Sequence, residues 1–366
     1  MWSEDDIRFM REAHQLARSA EGRTTPDPLV GAILIKQGRI VAMGYHGEVT
    51  TPHAEAWAIQ KAGEEARGAT LYLNLEPCCS FAKKNNPPCT EAIIRAGIKT
   101  VFASTKDPNP LVNGRGFAKL RKHGVKVEVG LLADEAKKMN EVFNKYITTK
   151  LPFVVLKSAV TLDGKIATRT GASRWVAGPE SLHFAHHLRN LYDAILVGIN
   201  NVLIDDPKLN VRLVKKVKDP IRVVLDSFAR TPLNAQVITA AGGRTIIVVG
   251  QNAPSKKVAA LLKRGVEILK LPAPRGLIDI KTLVRELGKM KITSLLVEGG
   301  GEVNASFLKA KAVDKAHFII APKIFGGRDA KTAVEGEGVA LPAQAKHLRL
   351  VHVDRLGSDV LVSGYF

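Results

Sequence analysis

His53 and Glu55 stand two residues apart in "TPHAEAWAI" (residues 51–59), and all three cysteines of the chain, Cys78, Cys79 and Cys89, fall within "CCSFAKKNNPPC" (residues 78–89). An odd number of clustered thiols does not make a disulfide framework, so metal binding or chemistry is the reading to pursue. Imidazole nitrogen and thiolate sulfur are donors that zinc prefers. Three of them leave the fourth tetrahedral position to water, which is the catalytic rather than the structural form of such a site. Zinc brings the pKa of a water towards 7, and a carboxylate placed like Glu55 can take its proton and pass it to a leaving amine.

These groups meet only if the elements carrying them converge. The pattern predicts a helix over about 54–62 that begins beside His53, a strand "ATLYLNLEP" ending at Cys78, and a helix over about 90–96 that begins beside Cys89. Helix starts gathered at the carboxyl end of a sheet would bring one imidazole and two thiolates together. The order His53-Ala54-Glu55, Pro77-Cys78, Cys89 follows the His-x-Glu…Pro-Cys…Cys pattern of zinc deaminases that attack cytosine or adenine. Cys78 rather than Cys79 is taken as the ligand because it directly follows Glu76-Pro77.

Around this cluster the first 147 residues alternate strands and helices. An amphipathic helix begins at Ser3, with Asp6 three residues on and Ile7, Met10, Leu16 and Ala17 on one face. "LVGAILIKQGRIVAMGYH" reads as a hairpin turning at Gln37-Gly38. Further strands are expected at "TVFAST" and "VKVEVGLL", with helices ending at Gly97 and Gly124 and a longer helix over about 134–147. The extended stretch "TTKLP" (148–152) is expected to link this domain, 1–147, to a second, 148–366. There "FVVLKSAVTLDGKIA" is a strand with a turn at Asp163-Gly164, followed by a helix over about 179–191. "DAILVG", "IRVVLD" and "TIIVVG" are the continuous apolar strands of a buried parallel sheet. The C-terminus, "LRLVHVDRLGSDVLVSGYF", reads as two closing antiparallel strands.

A second chemical motif lies in "SLLVEGGGEVNASFL", a strand, three glycines and a helix. Backbone N–H groups of such a loop, with the helix dipole, hold phosphate; a tight turn explains three glycines equally well.

The bulk numbers bound the rest. At 366 residues with 45% hydrophobic content, the chain can bury two ordinary cores. No apolar run reaches the roughly 20 residues of a membrane span, and the charges of the first 22 residues interrupt any signal-peptide core. A cytoplasmic location and no membrane partner are expected. The net charge of +19 suits phosphorylated ligands as well as nucleic acid. With aromatics at only 5%, there is no ladder for stacking bases, and no nucleic-acid partner is expected.

The motifs together resemble a known family. "PDPLVGAIL", "PHAEAWAI", "GATLYLNLEPC", "PPCTEAII" and "DPNPLVNGRG" are similar to the deaminase domain of the bifunctional riboflavin-biosynthesis deaminase/reductases. "LKSAVTLDGKIAT", "GASRWVAGPES", "LRNLYDAILVGINNVLIDDPKLNVR", "PIRVVLDS", "LLVEGGGEVNASFL" and "APKIFGG" are similar to their reductase domain. The resemblance implies an α/β protein: an N-terminal cytidine-deaminase-like three-layer α/β/α domain followed by a dihydrofolate-reductase-like α/β domain. It implies zinc on His53, Cys78 and Cys89, with Glu55 catalytic, and NADPH as the reductant. The substrate would be a small phosphorylated pyrimidine, losing its 2-amino group and then having its ribosyl group reduced to ribityl. Ser173, Arg189, Leu209, Arg212 and Glu298 would contact that substrate, Arg189 and Arg212 as a clamp on its phosphate. Ala159, Trp175, Asn201, Asp205 and the run Gly300, Gly301, Glu302, Val303, Asn304, Ala305 and Ser306 would contact NADPH. A homo-oligomer is expected.

The chain departs from the family at three places. Asp27 stands where the family has a substrate-contacting Asn. Asn201 stands where Thr is common. Ten residues rather than eight separate Cys78 from Cys89, and they include Lys83 and Lys84 as candidate phosphate contacts.

Overall fold

The computed structural model describes residues 2–79 and 87–366, in two compact units, 1–150 and 151–366. Lys83 and Lys84 lie outside the described residues. Among those residues no helix is long and apolar enough to cross a membrane.

The first unit runs α1 (Glu4–Arg18), β1 (Gly31–Lys36), β2 (Arg39–Tyr45), α2 (Ala54–Ala62), β3 (Thr70–Leu75), α3 (Cys89–Arg95), β4 (Thr100–Thr105), α4 (Arg115–Lys122), β5 (Lys126–Val129), α5 (Ala133–Met139) and α6 (Glu141–Thr149). Its sheet has the order β2-β1-β3-β4-β5. The hairpin strand β1 is antiparallel to both neighbours, whereas β3, β4 and β5 are parallel. Successive side chains of a strand point to opposite faces, and both faces here are apolar. Ile33, Ile35 and Tyr72 pack against Phe9, Met10 and Ala13 of α1. Ala32, Leu34, Leu71, Leu73, Val101 and Ala103 pack on the other side with Ala54 and Ala58 of α2, Ile93 of α3, and Phe117 and Leu120 of α4. That two-sided burial makes three layers, α/β/α. At the start of α1, Ser3 and Asp6 form the capping box their spacing predicts.

One helix was expected over 134–147, but two form. At Asn140 the backbone leaves helical geometry and the side chain turns away to the chain before β1. Its Oδ1 accepts from Leu29 N–H at 2.8 Å and its Nδ2 donates to Leu29 C=O at 2.9 Å. An amide that satisfies both groups of one peptide position outweighs a continuous helical ladder. Nor is 148–152 extended throughout, since α6 continues to Thr149 before Lys150 closes it in the left-handed region.

The second unit runs β6 (Phe153–Thr161), α7 (Pro179–Leu191), β7 (Ala194–Gly198), α8 (Ile199–Asp205), β8 (Ile221–Leu225), α9 (Gln236–Thr239), β9 (Thr245–Gly250), α10 (Ser255–Leu262), β10 (Glu267–Leu271), α11 (Ile280–Lys289), β11 (Ser294–Val297), α12 (Gly301–Lys309), β12 (Lys315–Ala321), β13 (Arg349–Leu356) and β14 (Asp359–Tyr365). They form a nine-stranded sheet, β10-β9-β8-β7-β11-β6-β12-β14-β13. The strands from β10 to β12 are parallel, and β14 and β13 close the edge antiparallel. From β7 to β10 the chain winds steadily outward; β11 then returns to insert between β7 and β6. The direction of winding therefore reverses at the β7–β11 junction, and in such sheets ligands bind beyond the carboxyl ends of the strands at that point.

Candidate active sites

At the carboxyl end of β3 the chain turns through Glu76-Pro77 to Cys78, and Cys89 opens α3 while His53 caps α2. The two helix starts and the strand end do converge. His53 Nδ1 lies 3.2 Å from Cys89 Sγ and 3.6 Å from Cys78 Sγ, and the Cys89 N–H points to Cys78 Sγ at 3.3 Å. All three donor atoms fall within 4.8 Å of one another. The Cys78 thiol is pushed down to about 4, first because the Cys89 thiol donates to it and also because the His53 imidazole lies beside it. The same shared proton, with burial, pushes Cys89 up. The Cys78 thiolate in turn raises His53 to about 9. A ready thiolate, a second thiol and an imidazole nitrogen on one point are the donor set zinc takes, so the residues present fit that ion.

Glu55 lies in the first turn of α2 and is buried, which pushes its carboxyl above the ordinary range, although His53 opposes the shift. A carboxyl poised in this way exchanges protons more readily near neutral pH than a solvated one does. Asp27, the departure from the family pattern, has a partner: His46 Nε2 lies 3.2 Å from its Oδ2. The buried His46 ring stands edge-on to His53, with centroids 5.4 Å apart.

Two further carboxyls shape this site without having been singled out in the sequence. Glu76 is buried. Its Oε2 accepts from the N–H of Asp107 at 3.1 Å and Gly114 at 2.8 Å, and its Oε1 from Gly116 at 2.9 Å and Phe117 at 3.3 Å. One carboxylate thereby ties the loop from 107 to 117 to the strand end that carries Cys78. Asp107 is held up at about 6, chiefly by burial. The signal for Glu76 was its adjacency to Pro77-Cys78; for Asp107 it was the "DPNP" stretch.

In the second unit the carboxyl ends of β6, β11, β7 and β8 border a cleft of about 500 Å³. Of the residues expected to contact coenzyme or substrate, Ala159, Ser173, Asn201, Asp205, Glu298, Gly300, Gly301, Glu302, Val303 and Ser306 line it. The three glycines have different tasks. A Cβ on Gly299 would stand 2.5 Å from Val303, and one on Gly301 would stand 2.5 Å from the Thr332 carbonyl, so both are needed for packing. A Cβ on Gly300 would meet only Asn201 Oδ1, at 3.7 Å, and would otherwise fill open cleft. That bare backbone at the start of the nine-residue helix α12 is a cradle for a phosphate of a dinucleotide, and the cleft fits NADPH.

The remaining expected residues do not line the cleft. On α12 the helical period turns Asn304 inward, where its Nδ2 donates to Ala333 C=O at 2.8 Å, and Ala305 is likewise absent from the lining. Trp175 is 57% exposed and so is no core residue; its carbonyl accepts from Lys323 Nζ at 2.9 Å. Leu209 is buried in the left-handed region at φ 52°. Arg212 is exposed and gives its N–H to His186 Nδ1 at 3.3 Å.

Arg189 is not a solvated surface charge. Its side chain is 13% exposed and forks onto Glu298, Nη2 to Oε2 at 2.7 Å and Nε to Oε1 at 3.3 Å. Lys157 Nζ stands 3.9 Å from Glu298 Oε2. Burial opposes ionisation of Glu298, but Arg189 and then Lys157 overcome it and hold the carboxyl at about 2. Lys157 is itself pushed below the usual ammonium range by burial. The sequence reading missed it; the signal was a lysine inside the otherwise apolar run "FVVLKSAV".

The family described as the cytidine and deoxycytidylate deaminase zinc-binding region matches residues 3–105, and the RibD C-terminal domain family matches residues 152–362. The riboflavin biosynthesis protein RibD of Actinobacillus pleuropneumoniae is 42% identical over 98% of this chain and 94% of its own. RibD of Aquifex aeolicus is 42% identical over 99% of each. A crystal structure of a diaminohydroxyphosphoribosylaminopyrimidine deaminase/5-amino-6-(5-phosphoribosylamino)uracil reductase from Thermotoga maritima aligns with a TM-score of 0.87 at 37% identity, covering 99% of this chain and 98% of its own.

Proposed function

The chain belongs to the RibD family of bifunctional riboflavin-biosynthesis deaminase/reductases, and from that premise we propose that its first unit carries the deamination and its second the reduction. The substrate of the first step is 2,5-diamino-6-ribosylamino-4(3H)-pyrimidinone 5′-phosphate. Water adds at the ring carbon that bears the 2-amino group, the carbon–nitrogen bond breaks, and ammonia leaves. His53, Cys78 and Cys89 hold the zinc, which when bound supplies Lewis acidity enough to ionise a water near neutral pH. Glu55 takes the proton of the attacking water and delivers it to the departing nitrogen. Glu76 keeps the Asp107–Phe117 loop in place beside these groups. The single observation that carries this reading is the meeting of His53, Cys78 and Cys89 within 4.8 Å, with Glu55 buried in the same helix turn.

In the second unit NADPH, when bound, would supply a hydride, and the chain supplies position and a proton. Gly300 cradles the coenzyme, and the Lys157–Glu298–Arg189 group sets the substrate end of the cleft. Opening of the ribose ring requires a proton on the ring oxygen. Glu298, ionised down to about 2, cannot give it; Lys157, weakened as an ammonium by burial, can. Arg189 positions Glu298 through its Nε and Nη2, and Arg212, exposed nearby, takes the phosphate.

The test is ammonia release from the diaminopyrimidine by zinc-loaded protein with NADPH left out. Release is expected, and Glu55→Gln should lower it by about 10²- to 10⁴-fold while NADPH oxidation on the pre-deaminated substrate continues unchanged. No release from the wild type, with that oxidation intact, would overturn the first half and leave a reductase with a silent first unit.

A further inference from the structure

We propose that Arg230 reads the 2′-phosphate of NADPH and sets the preference of the cleft for the phosphorylated coenzyme over NADH. The inference rests on the reading of this cleft as the coenzyme site and adds to it the residue that discriminates.

Three cations line the cleft: Lys157, Lys331 and Arg230. Lys157 is engaged with Glu298 at the substrate end, and Lys331 lies 3.8 Å from Glu335. Arg230 has no ion pair among the described residues; its Nη2 donates to a neutral partner, Asn200 Oδ1, at 3.3 Å. The rest of its fork is free for an anion, and a guanidinium matches phosphate oxygens two at a time.

Its place in the sheet matches the coenzyme. Hydride must be delivered beside Lys157, midway along β6, and Glu298, just past the end of β11. Gly300 follows β11 and cradles the linking phosphates. Arg230 follows β8, three strand spacings from β6, or about 14 Å along the sheet edge. The far end of an extended dinucleotide, its adenosine, therefore falls near Arg230. The lining there suits a flat apolar base: Phe228 and Leu277 face the cleft yet remain 53% and 58% exposed, and Ile204 adds another uncovered side chain. An aromatic and two aliphatic groups left uncovered around one cation are what an adenine ring with a neighbouring phosphate would cover.

The experiment measures binding rather than turnover. Calorimetric titrations with NADPH, NADH, 2′,5′-ADP and 5′-AMP would compare the wild type with Arg230→Ala, Arg230→Lys and Gly300→Val. Arg230 is exposed, so its replacement does not threaten the fold. Arg230→Ala should weaken NADPH and 2′,5′-ADP by about 10- to 100-fold and leave NADH and 5′-AMP within about twofold, with Arg230→Lys between. Equal weakening of all four ligands, or no change in any, overturns the assignment to the 2′-phosphate. Gly300→Val, which fills the cradle, should abolish binding of both NADPH and NADH. If that variant binds NADPH like the wild type, the cleft is not the coenzyme site and the broader reading falls with this one. If it fails to bind while Arg230→Ala behaves as wild type, only the role of Arg230 falls.

Discussion

Glu76 and Glu55 are both buried carboxyls a few residues from a metal-ligand candidate, yet their surroundings give them different tasks. Glu55 is held by burial in a state that exchanges a proton easily. Glu76 is saturated: four backbone N–H groups converge on its two oxygens. Glu76→Gln keeps the shape but turns one oxygen into a donor facing two donors. Each orphaned N–H costs about 1–3 kcal/mol, so the first unit should lose roughly 2–6 kcal/mol. Ammonia release should fall with it, while NADPH binding in the second unit stays as it was. Thermal melts and coenzyme titration on the same variant check both halves. Loss of coenzyme binding would show that Glu76 acts well beyond its own loop. Arg189 teaches a related point. Its Nε and Nη2 edge is held by a buried carboxylate, and removing either partner leaves the other charged and buried.

At the scale of elements, the β12–β14 pair encloses an imidazole. His317 Nδ1 lies 2.8 Å from Ser363 Oγ, and its ring stands edge-on to Phe184. Burial, with Lys315 nearby, pushes it down from 6.5 to about 4. On α7, His186 is likewise held at about 4, by burial and then by Arg189 and Arg212. Both folded values lie below the unfolded value, so the unfolded chain binds protons first as pH falls. The stability these neutral rings secure is present above about pH 6.5 and is lost as pH falls through 4. For His317 the full loss is roughly 3 kcal/mol. The melting temperature of the second unit should therefore drop between pH 6.5 and 4, and His317→Gln should flatten that slope by about one proton's worth. An unchanged slope in the variant would mean that His317 does not titrate in this window. Break points between elements follow the same logic. Asn140 ends α5 because its amide pairs with Leu29, so the helical pattern of 134–147 is locally sound and tertiary bonding divides it.

For the whole molecule, each unit has its own sheet and its own apolar core. Ligands should therefore act on stability unit by unit. Zinc removal by a chelator is expected to lower the transition of the first unit and abolish ammonia release, leaving the second transition in place. NADPH at about 100 times its dissociation constant should raise the second transition by about 2.7 kcal/mol and leave the first alone. Calorimetry with each ligand in turn measures this. A single transition that moves with both ligands would contradict independent units. The charge of +19 enters at this scale too, as a field that favours anionic, phosphorylated ligands over the whole surface.

Periodicity and motif order alone carried the alternation of elements, the parallel β7, β8 and β9, the Gln37-Gly38 turn and the convergence of His53, Cys78 and Cys89. These features depend on short-range geometry: which face a residue occupies, where a helix starts, and which donors a metal accepts. Three-dimensional packing decided the rest. Lys157 reads as a strand residue until β11 brings Glu298 beside it. Arg189 and Glu298 read as two separate substrate contacts until the fold pairs them. Asn304 reads as part of a phosphate loop until α12 turns it inward to Ala333. Arg230 joins the cleft only because β8 lies two places from β11 in the sheet. Each of these depends on pairing between residues far apart in the chain. Burial then shifts a proton equilibrium or commits a hydrogen bond, and no local pattern records that.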